Sequence, residues 1–255
     1  MTSVPDERYC TTVTENFQLM NVVMAVPESI AHPFGDERSV KQAFPQSVPA
    51  EVADPFLMCD FFGMEEKKSP SSDPDYFPVD WHPHRGIDLL SYIKTGVGRH
   101  GDSMGNRETF ATPGMQWISS GSGIEHAEGG GNEKGVLMKG FQIWVNEPAA
   151  RKMDDPSYGT NPPESIPLIP LAKGATVRVL AGSVGAQEGP IKFAVKDLQI
   201  LDFELEAGSE VQHEIPENLD CAILYVYEGS GSTNGKSAGE RDKVFVLDAK
   251  SGNNI

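Results

Sequence analysis

The stretch DWHPHRGIDLLSYIKTG, residues 80–96, places two of the chain's six histidines, His82 and His84, one residue apart. Because alternate side chains of a β-strand share one face, a strand here points both imidazoles the same way and turns Pro83 away from them. Two imidazoles side by side form half of a metal site. A His-x-His pair also occurs on exposed sheets without a metal, so a second pair is needed to favour metal binding.

GSGIEHAEGGG, residues 121–131, supplies such a pair, with His126 and Glu128 at the same i, i+2 spacing. If the two segments face each other across a β-barrel, three nitrogens and one carboxylate oxygen converge on one point. Imidazole with carboxylate and no thiolate is typical of open non-haem Fe(II) sites and their manganese relatives. We therefore predict Fe(II), with Mn, Zn, Cu, Co or Ni left open, and about two free positions for a substrate oxygen and dioxygen.

Short β-rich runs between turn signals predict an all-β chain, and no long helical period competes with them. The predicted strands are IDLLSYI, MQWIS, KGFQIWV, TVRVLAG, LQILDFELE, CAILYVYEG and KVFVLDA. Within LQILDFELE, the alternation predicts a half-buried strand. Its core-facing residues would be Leu201, Phe203 and Leu205, and its water-facing residues would include Asp202 and Glu204.

The middle of the chain is predicted to connect two halves. Residues 146–170 are rich in Pro, Asp and Ser and have no β alternation. The predicted domains are residues 1–150, which carry the metal site, and residues 151–255, which carry none.

The two halves resemble each other, which indicates a duplicated β unit. Aligned without a gap, residues 82–96 and 215–229 share a proline, a tyrosine, the final glycine and the apolar pattern between them. In this register Ile215 and Glu217 stand opposite the two histidines. The second copy has therefore lost the metal pair.

The composition argues against some classes of partner. The formal net charge of −16 repels phosphate backbones and anionic lipid, so we expect no direct nucleic-acid or membrane partner and favour a basic protein. No run reaches the ~18 apolar residues of a membrane span, and the first residues lack the apolar core of a secretory signal. Cys10, Cys59 and Cys221 fit reduced thiols. These features predict a cytoplasmic protein.

Several motifs in fixed order resemble the pirin family of the cupin superfamily. They are DPFLMCDFFG, HPHRG, HGDSMGNR, PGMQW, GSGIEHAE and GFQIWVN, and the similarity continues more loosely to the end of the chain. The resemblance implies a bicupin, with two jelly-roll type cupin β-barrels and a metal in the N-terminal one only. It also implies that Fe(II) is held by residues that match His82, His84, His126 and Glu128.

The resemblance implies two alternative functions. One is quercetin 2,3-dioxygenase activity, in which a flavonol-like substrate reacts with O2 and carbon monoxide is released. In that reaction we expect Glu128 to take the proton of the flavonol 3-hydroxyl. The alternative is an iron-dependent, redox-sensing transcription cofactor that acts through a protein partner and also works in the nucleus. A cupin with a structural metal and neither activity is the third interpretation.

Two features depart from the family pattern. Asp88 stands where cupins commonly carry glutamate, and this shorter side chain would have to reach a histidine to orient it. His126 lies 30 residues after Gly96. Counting the same distance from Gly229, the glycine aligned with Gly96, passes the last residue of the chain. We therefore expect either a fragment or an incomplete second barrel. His100, in the turn sequence HGDSMGN, is expected near a pocket mouth and not on the metal.

Overall fold

The structure, a computed structural model, describes residues 21–26, 30–34, 38–45, 48–62, 77–131, 136–172, 174–233, 236–239, 243–248 and 255. Nearly all regular structure in these ranges is β-strand, which confirms the all-β prediction. The seven predicted strands are all present. Among the described residues, no helix is both long enough and apolar enough to cross a membrane.

The elements of the first part of the chain are β1 (Asn21–Val26), β2 (Ile30–Phe34), β3 (Arg38–Phe44), α1 (Ala50–Ala53), β4 (Phe56–Phe62), β5 (Val79–His84), β6 (Ile87–Thr95), β7 (Val97–Asp102), β8 (Arg107–Phe110), β9 (Gly114–Ser119), β10 (Ile124–Gly131) and β11 (Lys139–Asn146). Those that follow are β12 (Ser157–Asn161), a 3-10 turn (Pro163–Ser165), β13 (Leu168–Ala172), β14 (Ala175–Ala181), β15 (Ser183–Val184), β16 (Gln187–Glu188), β17 (Ile200–Leu205), β18 (Cys221–Val226), β19 (Gly231–Thr233), β20 (Lys236–Gly239) and β21 (Lys243–Asp248).

Two antiparallel sheets carry the candidate site. One has the strand order β12-β9-β6-β11-β4-β3-β2, and the other has the order β5-β10-β7-β8. β6 is buried on both faces, which explains its nearly continuous apolar sequence. On one face Leu89 packs with Ile124 of β10, and on the other Leu90 and Tyr92 join a core shared with the second half.

The second half forms the three-stranded sheet β13-β14-β17, and its strands β21 and β18 form a second sheet with β1 of the first half, in the order β1-β21-β18. The predicted connector contains β12 and the start of β13, although residues 146–170 show no β alternation in their sequence. Backbone hydrogen bonds to β9 hold β12 although its sequence SYGTN has little β character. The domain division at residue 150 and the incomplete second barrel stay predictions.

One hydrophobic core joins the halves. It contains Leu90 and Phe141 from the seven-stranded sheet together with Leu180, Ile200 and Val246 from the second half. Burial of such side chains stabilises the packing by roughly 1.5–3 kcal/mol each. The seven-stranded sheet therefore lies between the candidate site on one face and the second half on the other.

β17 departs from its predicted pattern. Asp202, expected to face water, is only 5% exposed, whereas Leu205, expected in the core, is 50% exposed. The reason is a polar contact between the halves: Asp202 accepts hydrogen bonds from the Tyr92 hydroxyl at 3.0 Å and the Tyr227 hydroxyl at 2.7 Å. Lys94 Nζ lies 2.5 Å from the same carboxylate. Burial, with Asp202 adjacent, raises the pKa of both tyrosines, so they remain proton donors.

Candidate metal centre

Two neighbouring strands position the histidines. β5 is an edge strand, and such a position tolerates Pro83, which lacks the N–H that a central strand requires. His82 and His84 flank this proline, and His126 of β10 is the register partner of His82. The two segments thus meet as paired strands of one sheet, so the expectation that they face each other across a barrel is wrong. Antiparallel pairing alone brings the side chains together.

The three histidines form a compact cluster. Their potential ligand atoms all lie within 4.8 Å of one another. His82 Nε2 and His126 Nε2 are 3.0 Å apart. Two nitrogens bound to one ion at about 2.1 Å, in roughly perpendicular directions, also lie about 3.0 Å apart. The spacing therefore fits a shared ion.

Burial and an unpaired ring nitrogen support the same conclusion. His126 is fully buried and His84 is 9% exposed. His84 Nε2 is buried without a hydrogen-bond partner, which costs free energy that an ion bound by the cluster would offset. His82 Nδ1 lies 2.7 Å from the Asp80 carbonyl oxygen, so it donates there and leaves Nε2 with its lone pair. Trp144 meets the His84 ring edge-on at 5.1 Å and restricts its rotation.

Glu128 lies beside the cluster but outside the group of atoms within 4.8 Å. A register shift between His126 and Glu128 displaces it relative to β5. Its carboxylate is buried, and Oε2 accepts hydrogen bonds from Ser91 Oγ at 2.9 Å and Gln116 Nε2 at 2.5 Å. The structure thus brings His82, His84 and His126 together, whereas the role of Glu128 as a ligand stays a prediction.

His100 lies behind the cluster. It is fully buried in β7, so the expectation of a pocket-mouth position is wrong. Its ring stacks on Tyr158 at 4.0 Å and lies 5.6 Å from the His126 ring, and its Nε2 lies 3.0 Å from Asp102 Oδ2. The alternation of His100 with Asp102 was the sequence signal for a strand. The motif HGDSMGN, in which two glycines follow the histidine, hides this signal by predicting a turn.

Asp88 lies at a contact between the two halves. Its buried carboxylate accepts the backbone N–H of Ala194 at 2.8 Å and interacts with Ser119 and Glu147. Burial raises the pKa of this carboxyl group. Asp88 therefore links the first half to the second, and the side chains with which it interacts in the described residues are Ser119 and Glu147 and not a histidine.

An internal cavity of about 20 Å³ lies next to Glu128, with room for about one water molecule. Its polar wall includes Ser91, Gln116 and Gln142. Its apolar wall is formed by Phe62, Pro78, Val79, Ile93, Phe110, Gly129 and Met138.

Both central histidines are neutral at neutral pH. Burial, with neighbouring histidines adding to it, lowers the pKa of His84 to about 4 and that of His126 to about 3. Glu128 opposes this effect at His84 through its negative charge. Because a metal ligand must be deprotonated, both rings are ready to bind an ion well below the usual histidine pKa of 6.5.

These shifts predict acid destabilisation of the metal-free protein. The unfolded chain binds protons at His84 and His126 below pH 6.5, whereas the folded chain does not until about pH 4 and pH 3. Stability is therefore complete above pH 6.5 and declines as the pH falls through that window. We expect the two groups to account for a loss of about 5 kcal/mol in unfolding free energy between roughly pH 7 and 4.5.

Urea unfolding of chelator-treated protein at several pH values measures this loss. The matched variant is His126→Leu, in which one titrating group is gone and the decline should be shallower. A variant whose unfolding free energy falls as steeply as that of the parent would contradict the prediction.

The all-β fold and the three-histidine cluster define a cupin-fold protein with a candidate metal centre. The crystal structure of quercetin 2,3-dioxygenase from Acinetobacter baumannii has the same fold, with a TM-score of 0.80 and 26% identity. The match covers 92% of this chain and 81% of that one.

The chain belongs to the pirin family. The Pirin family model matches residues 37–145. A Pseudomonas aeruginosa relative named "Putative quercetin 2,3-dioxygenase" is 34% identical over 210 residues, covering 80% of this chain and 71% of the relative. A Vibrio cholerae relative with the same description is 38% identical over 202 residues, covering 76% and 68%. The family resemblance inferred from the motifs is thereby confirmed.

Proposed function

We propose that this chain is a quercetin 2,3-dioxygenase whose Fe(II) is held by His82, His84, His126 and Glu128. The observation that carries the proposal is the cluster of histidine ligand atoms within 4.8 Å of one another. The names of the two relatives and of the Acinetobacter structure support the activity. Metal analysis of protein purified without added metal would distinguish Fe from Mn, Zn, Cu, Co and Ni.

When bound, the ion would polarise the substrate oxygen and supply the redox chemistry that dioxygen requires. The protein supplies three imidazoles, of which His84 and His126 are neutral, and a buried carboxylate. When its carboxylate loosens from the ion, Glu128 takes the proton of the flavonol 3-hydroxyl, because it is a carboxylate adjacent to the histidines. Burial keeps the His84 and His126 rings away from bulk water. No separate serine, cysteine or lysine nucleophile takes part.

The cavity beside Glu128 limits where the flavonol can lie. At about 20 Å³ it accommodates about one water molecule and not a three-ring flavonol, and none of the three histidines lines it. The flavonol must approach the histidines from another side or displace the apolar wall, which includes Phe110 and Met138.

Purified protein loaded with Fe(II) is expected to consume quercetin and release carbon monoxide. In the Glu128→Gln variant, which keeps the side-chain volume but cannot take the proton, turnover should fall by about 100-fold or more. Quercetin absorbance and carbon monoxide release measure both samples, with metal content determined in parallel. A fully loaded parent that leaves quercetin unchanged, or a variant as fast as the parent, would rule the mechanism out.

The second candidate is a redox-sensing regulator that acts through a protein partner in the cytoplasm and nucleus. The net charge of −16 favours it, because a change of ion charge inside an acidic protein alters its attraction for a basic partner. Pull-downs with ferrous, ferric and metal-free protein test this function. Identical partners from the three samples would count against it.

A further inference from the structure

A row of buried polar side chains crosses the seven-stranded sheet at one level. Its members are register partners on neighbouring strands, from β9 through β6, β11 and β4 to β3. None is more than 9% exposed. In order, they are Gln116, Ser91, Gln142, Asp60 and Gln42.

Packing alone does not account for this row. On the same face of β6, the residues on either side of Ser91 are Leu89 and Ile93, both fully buried in apolar clusters. A polar group placed between such layers costs free energy unless it is hydrogen-bonded. Ser91 meets this requirement through bonds to Gln116, Gln142 and Glu128, and Gln42 meets it through Asp60. Gln116 Oε1 is the exception, because it is buried without a hydrogen-bond partner. The hydrogen-bonded group around Ser91 ends at Glu128.

The hydrogen bonds at that end have a definite direction. Gln116 Nε2 donates to Glu128 Oε2 at 2.5 Å and to Ser91 Oγ at 3.0 Å, which uses both protons of the amide. Ser91 has one proton and two acceptors within reach, Gln142 Oε1 at 2.5 Å and Glu128 Oε2 at 2.9 Å. The Ser91 proton can go to only one of these two acceptors at a time, whereas one amide proton of Gln116 is always directed at Glu128.

The orientation of the Gln116 amide follows from the same contacts. A half-turn of the amide would place its oxygen against the carboxylate oxygen of Glu128, where two acceptors repel each other. Gln116 and Glu128 thus fix each other. Both hydrogen bonds to the carboxylate reach Oε2, which leaves Oε1 as the oxygen not committed to them.

We propose that Gln116 and Ser91 are positioning residues that pin Oε2 of Glu128, so that Oε1 alone is offered to the ion held by the histidines. Gln142 takes part by holding Ser91. The inference deepens the proposed function and rests on it in taking Glu128 as a metal ligand. Its expected effect is on how the metal is bound, in addition to the rate of any reaction.

Cobalt(II) titration tests the inference without a turnover assay. In Gln116→Met, which keeps a similar volume but donates no hydrogen bond, the Co(II) dissociation constant should rise by about tenfold, and the visible absorption of bound Co(II) should change with its coordination. The matched control is Gln42→Met, the same substitution at the far end of the row, where Gln42 bonds Asp60 at 2.9 Å. Gln42→Met should retain the affinity and spectrum of the parent.

A double variant shows whether Gln116 acts through Glu128. Gln116→Met combined with Glu128→Gln should bind Co(II) no more weakly than Glu128→Gln alone. If Gln116→Met does not fold, Ser91→Ala decides, with a change in the same direction. Parental affinity and spectrum in both single variants, or additive losses in the double variant, would overturn the inference. If the parent leaves quercetin unchanged while the variants still alter Co(II) binding, only the proposed activity fails.

Discussion

His126→Ala is expected to purify almost free of metal and without quercetin cleavage. His126 is the register partner of His82, and its loss removes one nitrogen from the three-histidine cluster. Loss of a residue that hydrogen-bonds to a metal ligand costs about 10- to 100-fold in metal affinity. Loss of the ligand itself should therefore cost about 100-fold or more. Metal content after dialysis, measured together with quercetin loss and carbon monoxide release, checks this outcome.

The matched control is His213→Ala. His213 is also a buried histidine, but it lies in the second half and bonds Gln199 at 2.9 Å. It is outside the cluster, so its replacement should leave metal content and Co(II) affinity unchanged. Metal retention by His126→Ala at the parental level would contradict the site, and with it both the enzymatic and the redox-sensing function.

Asp202→Ala is expected to lower the unfolding free energy by about 3 kcal/mol, because it breaks a buried ion pair by removing one partner. Lys94 then loses its 2.5 Å contact, and the buried hydroxyls of Tyr92 and Tyr227 lose their acceptor. Unpaired buried donors of this kind cost about 1–3 kcal/mol each before the structure relaxes. Urea unfolding followed by fluorescence measures the change.

Glu204→Ala is the control for this prediction. Glu204 also accepts from Lys94, at 2.9 Å, but its side chain is 49% exposed. Exposed ion pairs contribute about 1 kcal/mol or less, so the loss should be correspondingly small. Equal destabilisation by the two variants would show that Asp202 is not the central residue of the contact between the halves.

Much of the site could be predicted from the sequence, because its signal is local. The i, i+2 spacings of His82 with His84 and of His126 with Glu128 place each pair on one side of a strand, whatever the rest of the chain does. The strands themselves were found from runs of β-branched and aromatic residues. The motifs then led to the family, which the comparisons confirm.

The failures have a common cause in contacts between distant segments. The apolar alternation of β17 predicted a solvent-exposed Asp202. In the fold, Tyr92 and Lys94, about a hundred positions away in the sequence, contact its carboxylate and bury it. The polar sequence of β12 predicted a connector, but β9 supplies it with backbone partners. Neither partner can be identified from a single strand.

The sequence by itself determined the strand character of the chain, its family and the histidines that belong together, because backbone alternation is a property of neighbouring residues. The tertiary structure decided that the two histidine segments pair as adjacent strands, that Asp202 joins the halves, and that Gln116, Ser91 and Gln142 line up behind Glu128. These outcomes depend on strand order and register. Both are fixed only when the sheets assemble and pack, because each strand pattern is compatible with many pairings until burial selects one.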